Sequence, residues 1–542
     1  MADWIVHQRY RFMIVVCVYF ALHICIRTTI SGSLDFDESE QVFLSQWTLL
    51  GYNSQPPLYT WMQQGLLYLL GDNVFSLALL KNALLAGTYF AAYGIVKKAT
   101  DNPTQAVVAS LGIMTIPQIA WESHRDLSHT VAVTFATVAL VYCVVSLEKS
   151  HRTAWYAAIG MVTAFGIMSK YNFAIVVLAV AIAALSVPNY RQRLFSPRIL
   201  WTIIVAGSLI APHGYWIANH HGLASKKTVS TLAGSRTSSW FDNVIEGLDA
   251  LASSAFACCV LTVFVFIVAY RASIIRWIQN RNRIRKESSH DSIRQTTLFV
   301  ERFLIVVAFI LLMIVLSGHA IEFKNRWLQP FVALLPAYLV LRFRNFASED
   351  HAGMNRVALT SFLLMATVLI AVSSRPLLSS YRHKHILLNV PFDSFAESVR
   401  ERCGQDPAVI VVPDMRWAGN LKIQFPSALV LSRDNQHVAD QASVAQRIQN
   451  GGDNILVVSN GTESIAVDTM KQFVNKTLRR DIEALYWQTI DHPYYYGSAE
   501  NHSEFTFARL NDPQRHIGEV ASASSASDLI SAKPTHEPHT NR

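Results

Sequence analysis

The sequence is short of charge. Asp, Glu, Lys and Arg make up 15% of its 542 residues, against about 25% in an average soluble protein. Hydrophobic residues make up 51%, and the mean hydropathy is +0.25. A chain of this composition cannot keep its whole surface in water. Cysteine is scarce and unpatterned. Cys17, Cys25, Cys143, Cys258 and Cys259 lie in apolar segments and Cys403 in the tail, which excludes a disulfide framework and a zinc module. No glycine-rich phosphate loop follows a strand, so no nucleotide site is assigned. No basic stripe interleaved with aromatics occurs, so the pI of 9.1 is not a nucleic-acid signal. No small-x-small cleavage site follows the first apolar block, which therefore reads as an uncleaved first helix.

What the sequence does have, up to about Ala371, is a series of apolar blocks of roughly the 17–20 residues that cross a hydrocarbon core. The candidate helices are 12–30, 74–95, 103–121, 128–147, 153–170, 171–187, 199–217, 251–270, 302–318, 327–342 and 356–373. The fold class is a polytopic α-helical membrane protein, with about eleven transmembrane helices and a C-terminal soluble α/β domain. Lysines and arginines of the short loops set the orientation. Lys97, Lys98, Lys149, Arg152, Arg191, Arg193 and Arg198 mark one side, as do the run from Arg271 to Arg294 and then Arg342 and Arg344. Placing these in the cytosol, near anionic lipid, puts the N-terminus inside and the tail outside.

The opposite face holds the candidate chemistry. Residues 31–80 contain no lysine or arginine, and 35–40 are acidic, with Asp35, Asp37, Glu38 and Glu40. Phe36, Phe43, Trp47 and Leu50 then share one helical face, as in a helix lying in the interface. Gly51, Tyr52, Gln55, Pro56, Pro57, Tyr59 and Trp61 follow, the prolines breaking the helix among interfacial aromatics. Carboxylates at the membrane mouth suit acid/base work. Asp37 with Glu40 three residues on also fits a capping box, and the two roles are compatible because the acids can divide them. The second outer loop carries Glu122, His124, Arg125, Asp126 and His129. A divalent metal on His124, Asp126 and His129 is one reading, an acid that orients substrate is a second, and a solvated turn is the third.

Several cations lie on this face against the positive-inside trend: Arg125, Lys170, Lys226, Lys227, Arg236, Lys324 and Arg326. Lys170, Lys324 and Arg326 sit at helix ends, where they suit a phosphate or carboxylate ligand. Snorkelling to headgroups is the bland alternative. His213 ends the seventh helix on the same side and is counted with the lining residues, a structural role being its alternative.

Taken together, Asp37-Glu38, Gly51-Tyr52 and the Pro56-Pro57-Leu58-Tyr59 run resemble the GT-C glycosyltransferases around protein O-mannosyltransferases and lipid A aminoarabinose transferases. Ser169-Lys170-Tyr171 is similar to that family's Leu-Ser/Thr-Lys element, and Lys324 to Pro330 to its late Arg-Tyr/Trp-x-x-Pro element. The resemblance spans about residues 10–345. It implies a GT-C-like bundle, a polyprenyl-phosphate sugar donor, and inverting transfer at the outer leaflet of a bacterial inner membrane. It also implies Asp37 as general base and Asp126 as the second outer-loop acid, with Glu38 counted among the catalytic acids, and Lys170 and Arg326 on the donor phosphate, with Lys324 counted beside them. Asp35, Tyr52, Gln55, Pro56, Pro57, Tyr59, His124 and His213 would line the substrate. The aminoarabinose transferases have Glu-Lys-Pro-Pro where this chain has Ser54-Gln55-Pro56-Pro57. One cation is thus missing, and phosphate contacts must come from elsewhere. Within the family the chain most resembles the branch that decorates lipopolysaccharide, including rhizobial galacturonosyltransferases. The implied acceptor is a glycolipid such as lipid A or lipopolysaccharide core, with membrane lipid as partner and no nucleic acid. The resemblance implies no certain cofactor.

The expected domains are 1–373 for the bundle, with its first outer loop at 31–73, then 374–517 for a periplasmic α/β domain and 518–542 for a disordered, Ser/Ala/His/Pro-rich tail. Apolar runs at 408–412, 428–432 and 454–459 read as strands, and polar helices fall near 393–403, 437–449 and 464–478. This is a βαβ pattern with a parallel core. Tyr494 to Gly497 reads as a late loop and Glu504 to Ala508 as an edge strand. A transporter or flippase of a glycolipid or anionic lipid is the competing function. It would be expected to show inverted repeats and midplane charges, and the chain has no internal repeat. A membrane sensor is a third reading, which leaves the outer-loop acids unexplained.

Overall fold

The computed structural model describes residues 9–150, 152–224, 232–234, 239–279, 291–347, 350–435, 446, 454–459, 464–478, 486–498 and 500–510. The chain forms two compact units, which meet in sequence at Asn389 and Val390.

Among the described residues the first unit has helices and no strands. Its elements are α1 (Arg9–Ile30), α2 (Phe36–Leu44), α3 (Leu58–Leu70), α4 (Val74–Thr100), α5 (Pro103–Leu111), α6 (His129–Lys149), α7 (Thr153–Ser169), α8 (Phe173–Ser186), α9 (Pro188–Leu194), α10 (Ile199–Asn219), α11 (Trp240–Ala269), α12 (Asp291–Leu316), α13 (Asn325–Val332), α14 (Leu335–Ala347) and α15 (His351–Tyr381). Among the described residues seven helices are long and apolar enough to cross a membrane: α1, α4, α6, α10, α11, α12 and α15. The other four anticipated segments are short or broken. The 103–121 segment stops as an α-helix at Leu111 and runs through a 3-10 turn and a π-helical turn flanking Pro117. That proline lacks the N–H an α-helix needs. The helix α7 has 17 residues. Helices α8 and α9 meet at a 115° bend, where Val187 is extended before Pro188, as a residue preceding proline prefers. The 327–342 segment divides into α13 and α14.

Each long helix is apolar around most of its girth, and exposure separates its two faces. On α1, Phe12, Val16, Tyr19 and Phe20 are buried, while Tyr10, Ile14, Val18 and Leu22 are exposed. Exposed apolar groups on a membrane helix meet lipid chains, which are as apolar as they are. Helix α6 is the central one, with 89% of its apolar window buried. Local caps fix the ends. Asn73 accepts from the Ser76 N–H (2.9 Å) at the start of α4, and Asn102 accepts from the Thr104 N–H (2.9 Å) before Pro103 opens α5, in keeping with Asn at N-caps and Pro at the first turn.

The second unit holds a five-stranded sheet: β1 (Val409–Val412), β2 (Leu429–Ser432), β3 (Ile455–Ser459), β4 (Trp487–Pro493) and β5 (His502–Leu510), in the order β2-β1-β3-β5-β4. The pairs β1/β2 and β1/β3 are parallel, and β5 runs antiparallel to both β3 and β4. The 504–508 run, expected at an edge, lies inside the sheet, because β4 adds outside it. Phe505 and Phe507 are buried, which an interior strand permits and an exposed edge disfavours. Helices α16 (Phe392–Cys403), α17 (Met415–Gln424) and α18 (Ser464–Leu478) complete the unit. Asp414 is the N-cap of α17, its carboxylate accepting from the Arg416 N–H (2.8 Å). Phe392, Phe395, Trp417, Phe505 and Phe507 form the unit's aromatic centre. The composition changes at Ser374, but α15 continues to Tyr381, and the second unit begins only at Val390. The expected helix at 437–449 lies, apart from residue 446, outside the described residues. So do the tail at 518–542, Lys226, Lys227 and Arg236.

Candidate functional site

The site begins at the N-terminus of α2. Asp35 is the N-cap and Glu38 the N3 residue of a capping box, the Glu38 carboxylate accepting from the Asp35 N–H (3.1 Å). The box therefore stands two residues earlier than the Asp37/Glu40 pairing expected from sequence. Both pairs have the spacing; burial decides between them. Glu38 turns inward onto Arg27 of α1 (Nη2 to Oε2, 2.5 Å) and Lys81 of α4 (3.9 Å). Those cations and the Asp35 N–H overcome the cost of burial and pull its pKa down to about 2. Asp35 pairs with Arg375 of α15 (2.7 Å), yet burial, its largest influence, leaves its pKa raised. Glu38 is thus a structural ion-pair member rather than a cavity acid, and Asp35 an anchor for α2.

This arrangement leaves Asp37 and Glu40, three residues apart on α2, to line a cavity of about 320 Å³. The second outer loop supplies its next wall. Leu127 has φ +65°, strained for a side-chain-bearing residue, and the resulting turn delivers the Ser128 N–H to Asp37 Oδ2 (2.8 Å). Asp126 Oδ1 accepts from the Asp37 N–H (3.2 Å). Burial first, and then the neighbouring Asp37 charge, push the Asp126 pKa up to about 6. Two adjacent carboxylates resist simultaneous ionisation, as electrostatics requires.

The cations arrive from separate elements. Lys170, the extended residue that ends α7, donates from Nζ to Thr130 Oγ1 (2.8 Å). Burial and then the nearby Arg326 lower its pKa to about 8, with Asp37 acting in the opposite sense. Lys324 caps α13 and Arg326 sits in its first turn; both line the cavity. Helix α13 is pinned to the acidic loop by Gln329, whose amide donates to Ser123 Oγ (2.9 Å) and to Thr134 Oγ1 (3.1 Å). Ile175, Leu311, Ile314, Phe323, Leu328 and Phe331 give the cavity an apolar flank.

Among the residues anticipated from sequence, Asp37, Asp126, Gln55, Lys170, Lys324 and Arg326 meet at this cavity. Asp35, Glu38, Tyr52, Pro56, Pro57, Tyr59, His124 and His213 do not line it. Tyr52 donates to the Trp47 carbonyl (2.6 Å) inside the first loop. Pro56 and Pro57 are buried, and Pro57 precedes α3. Tyr59 is buried against the His129 ring (5.5 Å between centroids). His124 stacks on His23 of α1 (3.8 Å, 15°). His213 binds the Leu50 carbonyl through Nδ1 (2.7 Å) and Tyr171 through Nε2 (3.2 Å). The metal triad of His124, Asp126 and His129 does not converge, since His129 engages the Ser169 carbonyl (3.2 Å) and Gln41 (3.4 Å). No group of three His, Cys, Asp or Glu among the described residues is placed to hold a metal.

Sequence reasoning missed Glu40, Asn53, Ser54, Asn172 and Trp327 as lining residues. Asn53, Ser54 and Asn172 are uncharged polar residues in loops and give no pattern by which to find them, while Glu40 and Trp327 carry other readings in the sequence, in a capping box and in a helix end. It also missed Arg27, Lys81 and Arg375. Their signal was available, as single charges inside or ending apolar helices, which need a buried partner.

The loop between α2 and α3 seats on α10. A Cβ added to Gly51 would lie 2.4 Å from the Trp216 ring, so only glycine allows this approach. Trp216 stacks on His213 (5.7 Å, 12°), and His213 on the cavity residue Tyr171 (5.9 Å, 5°). Burial raises the Tyr171 pKa to about 12.

Residues 54–216 match the family model described as dolichyl-phosphate-mannose-protein mannosyltransferase. The chain is 30% identical over 496 residues to the lipopolysaccharide core galacturonosyltransferase RgtB of Rhizobium johnstonii, covering 91% of this chain and 96% of that one. It is 30% identical over 422 residues to RgtA, of the same description and organism, covering 78% and 82%. ArnT from Cupriavidus metallidurans, solved with undecaprenyl phosphate, shares the fold at a TM-score of 0.57 and 10% identity, covering 93% of this chain and 99% of that one.

Proposed function

The chain belongs to the GT-C family of membrane glycosyltransferases, and on that premise we propose that it moves a galacturonosyl group from polyprenyl phosphate to lipopolysaccharide core. The sugar and acceptor follow the description of its relatives. The donor follows the ligand of the ArnT structure. The observation that carries the reading is one cavity lined together by the carboxylates Asp37, Glu40 and Asp126, the cations Lys170, Lys324 and Arg326, and apolar side chains. The glycosyltransferase relatives set aside the transporter reading.

The reaction is a single inverting displacement. The acceptor hydroxyl approaches the anomeric carbon opposite the phosphate and gives its proton to Asp37. The new C–O bond forms as the C–O bond to phosphate breaks, and the phosphate leaves with the electron pair. The Ser128 N–H held by Asp37 fixes its carboxylate for that task. Asp126 shares the local proton load and orients the acceptor. Lys170 and Arg326 stabilise charge as it develops on the leaving group, and Lys324 lines the same cavity.

We put this cavity at the periplasmic face. Helices α6 and α8 start at it, α7 and α12 end at it, and the Lys/Arg-rich ends of α4 and α6 lie at the other side of the bundle. We assign the second unit to the same face. Mass spectrometry of lipid A and core from cells with and without this chain tests the proposal. Loss of one galacturonic acid mass, restored by the wild type and not by Asp37→Asn, is expected. An unchanged profile overturns it.

A further inference from the structure

The cavity has more positive charge than a polyprenyl phosphosugar needs for its phosphate. That diester carries one negative charge, while Lys170, Lys324 and Arg326 all line the site. Lys170 and Arg326 are neighbours close enough for Arg326 to disfavour the Lys170 cation, so together they form one doubly positive spot. Lys324 is a separate point. It is extended (φ −88°, ψ 133°) at the cap of α13, whereas Arg326 already sits in the helix, and Lys324 is not among the charges that act on Lys170.

The cavity acids do not consume the Lys324 charge. Asp37 accepts from Ser128, Asp126 accepts from Asp37, and Glu40 accepts from the Asn53 amide (3.3 Å). Among the described residues no ion pair to Lys324 occurs. A neutral sugar offers this third cation hydroxyl acceptors but no charge to pair with. A cationic sugar would be repelled by it. A uronic acid brings a second negative charge into a cavity with three carboxylates and needs a dedicated cation to offset that repulsion.

We propose that Lys324 binds the carboxylate of a uronic acid carried by the donor, leaving the phosphodiester to Lys170 and Arg326. This rests on the reading of the chain as a polyprenyl-phosphate-dependent glycosyltransferase. It makes Lys324 the residue that distinguishes a uronate from the matching hexose, which has a hydroxymethyl in place of the carboxylate.

The test uses full-length protein in detergent, a lipopolysaccharide-core acceptor, and polyprenyl-phosphate donors bearing galacturonate or galactose. Lys324→Met should lower the ratio of kcat/KM for galacturonate over galactose by about 10–100-fold, the range of a charge-assisted hydrogen bond. Lys324→Arg should retain most of the ratio. Arg326→Met should lower both donors together. An equal fall with both donors in Lys324→Met assigns Lys324 to the phosphate and overturns the proposal, as does an unchanged ratio. The galactose rate reports folding within the same preparation. If the wild type transfers neither sugar, the functional reading itself fails. If the wild type transfers galacturonate and Lys324→Met keeps the ratio, only the carboxylate assignment fails.

Discussion

Lys170 should set the alkaline limit of the reaction. Burial and the neighbouring Arg326 bring its pKa down to about 8, and a phosphate-binding lysine acts only as the cation. With a pKa of about 8, roughly 90% of the enzyme holds the cation at pH 7 and roughly 10% at pH 9, so kcat/KM should fall about ninefold between them. The proposed donor, a phosphodiester, has no ionisation in this range, so the limb would belong to the enzyme. Asp126, at about 6, should set the acid limb, because a protonated dyad is a poorer proton acceptor. The profile of kcat/KM, which reports the free enzyme, should be a bell with its plateau between pH 6 and 8.

Lys170→Arg removes the ionisation while keeping the charge, since a guanidinium stays protonated to about pH 12 or beyond. Its alkaline limb should vanish while the acid limb stays. The limb should also move upward in kcat, because bound phosphate stabilises the cation. The stability of the free protein gives an independent sign check. Between pH 8 and 10.5 the unfolded chain binds the Lys170 proton more tightly, so this residue's contribution to stability rises with pH, opposite to activity. Rates measured from pH 5 to 10 for wild type and Lys170→Arg decide the matter. An alkaline limb unchanged in Lys170→Arg, or a wild type that stays flat to pH 9.5, refutes the assignment.

The other predictions concern single contacts. Asp37→Asn should lower kcat by about 10²–10⁴, the usual worth of a general base, with thermal stability near wild type because the amide oxygen still accepts from Ser128. Asp35→Asn should act chiefly on stability, since it leaves Arg375 without its carboxylate (2.7 Å); a turnover loss as large as that of Asp37→Asn would reverse the two roles. Glu38→Gln should cost about 3–5 kcal/mol by stranding Arg27 and Lys81, visible as a lower melting temperature in detergent. Because the folded pKa of Glu38 is depressed from 4.5 to about 2, its contribution in the wild type is full above pH 4.5 and is lost as pH falls towards 2. Gly51→Ala should displace the loop from Trp216, given the 2.4 Å approach, and lower activity. Gly51→Ala with Trp216→Leu should recover part of it, which thermal and rate measurements on the double variant will report.

Much of the bundle was legible because membrane burial is a local property. A run of apolar residues must be helical in lipid whatever its neighbours do, so α1, α4, α6, α10, α11, α12 and α15 follow from the sequence one at a time. Breaks were less legible. The bend between α8 and α9 and the π turn at Gln118–Glu122 each have a proline as their sign, Pro188 and Pro117, but a proline does not say whether its helix kinks or stops. In the second unit the buried strands β1 and β3 were visible as apolar runs. The position of β5 inside the sheet was not, because strand order is a contact between distant segments.

The sequence by itself determined that acids and cations gather in the same set of loops, and that Asp37, Asp126, Lys170 and Arg326 were the ones to examine. Only the tertiary structure decided which acids pair with buried cations and which line the cavity. Asp35/Glu38 and Asp37/Glu40 have the same i, i+3 spacing, so local rules cannot choose the capping pair. The choice falls to Arg27 and Lys81, which wait on α1 and α4 for one buried carboxylate and draw Glu38 inward. Turning Glu38 in turns Asp37 and Glu40 towards the cavity on the same helix. A charge buried in low dielectric must find its partner through space, and distance through space is what a linear sequence does not contain.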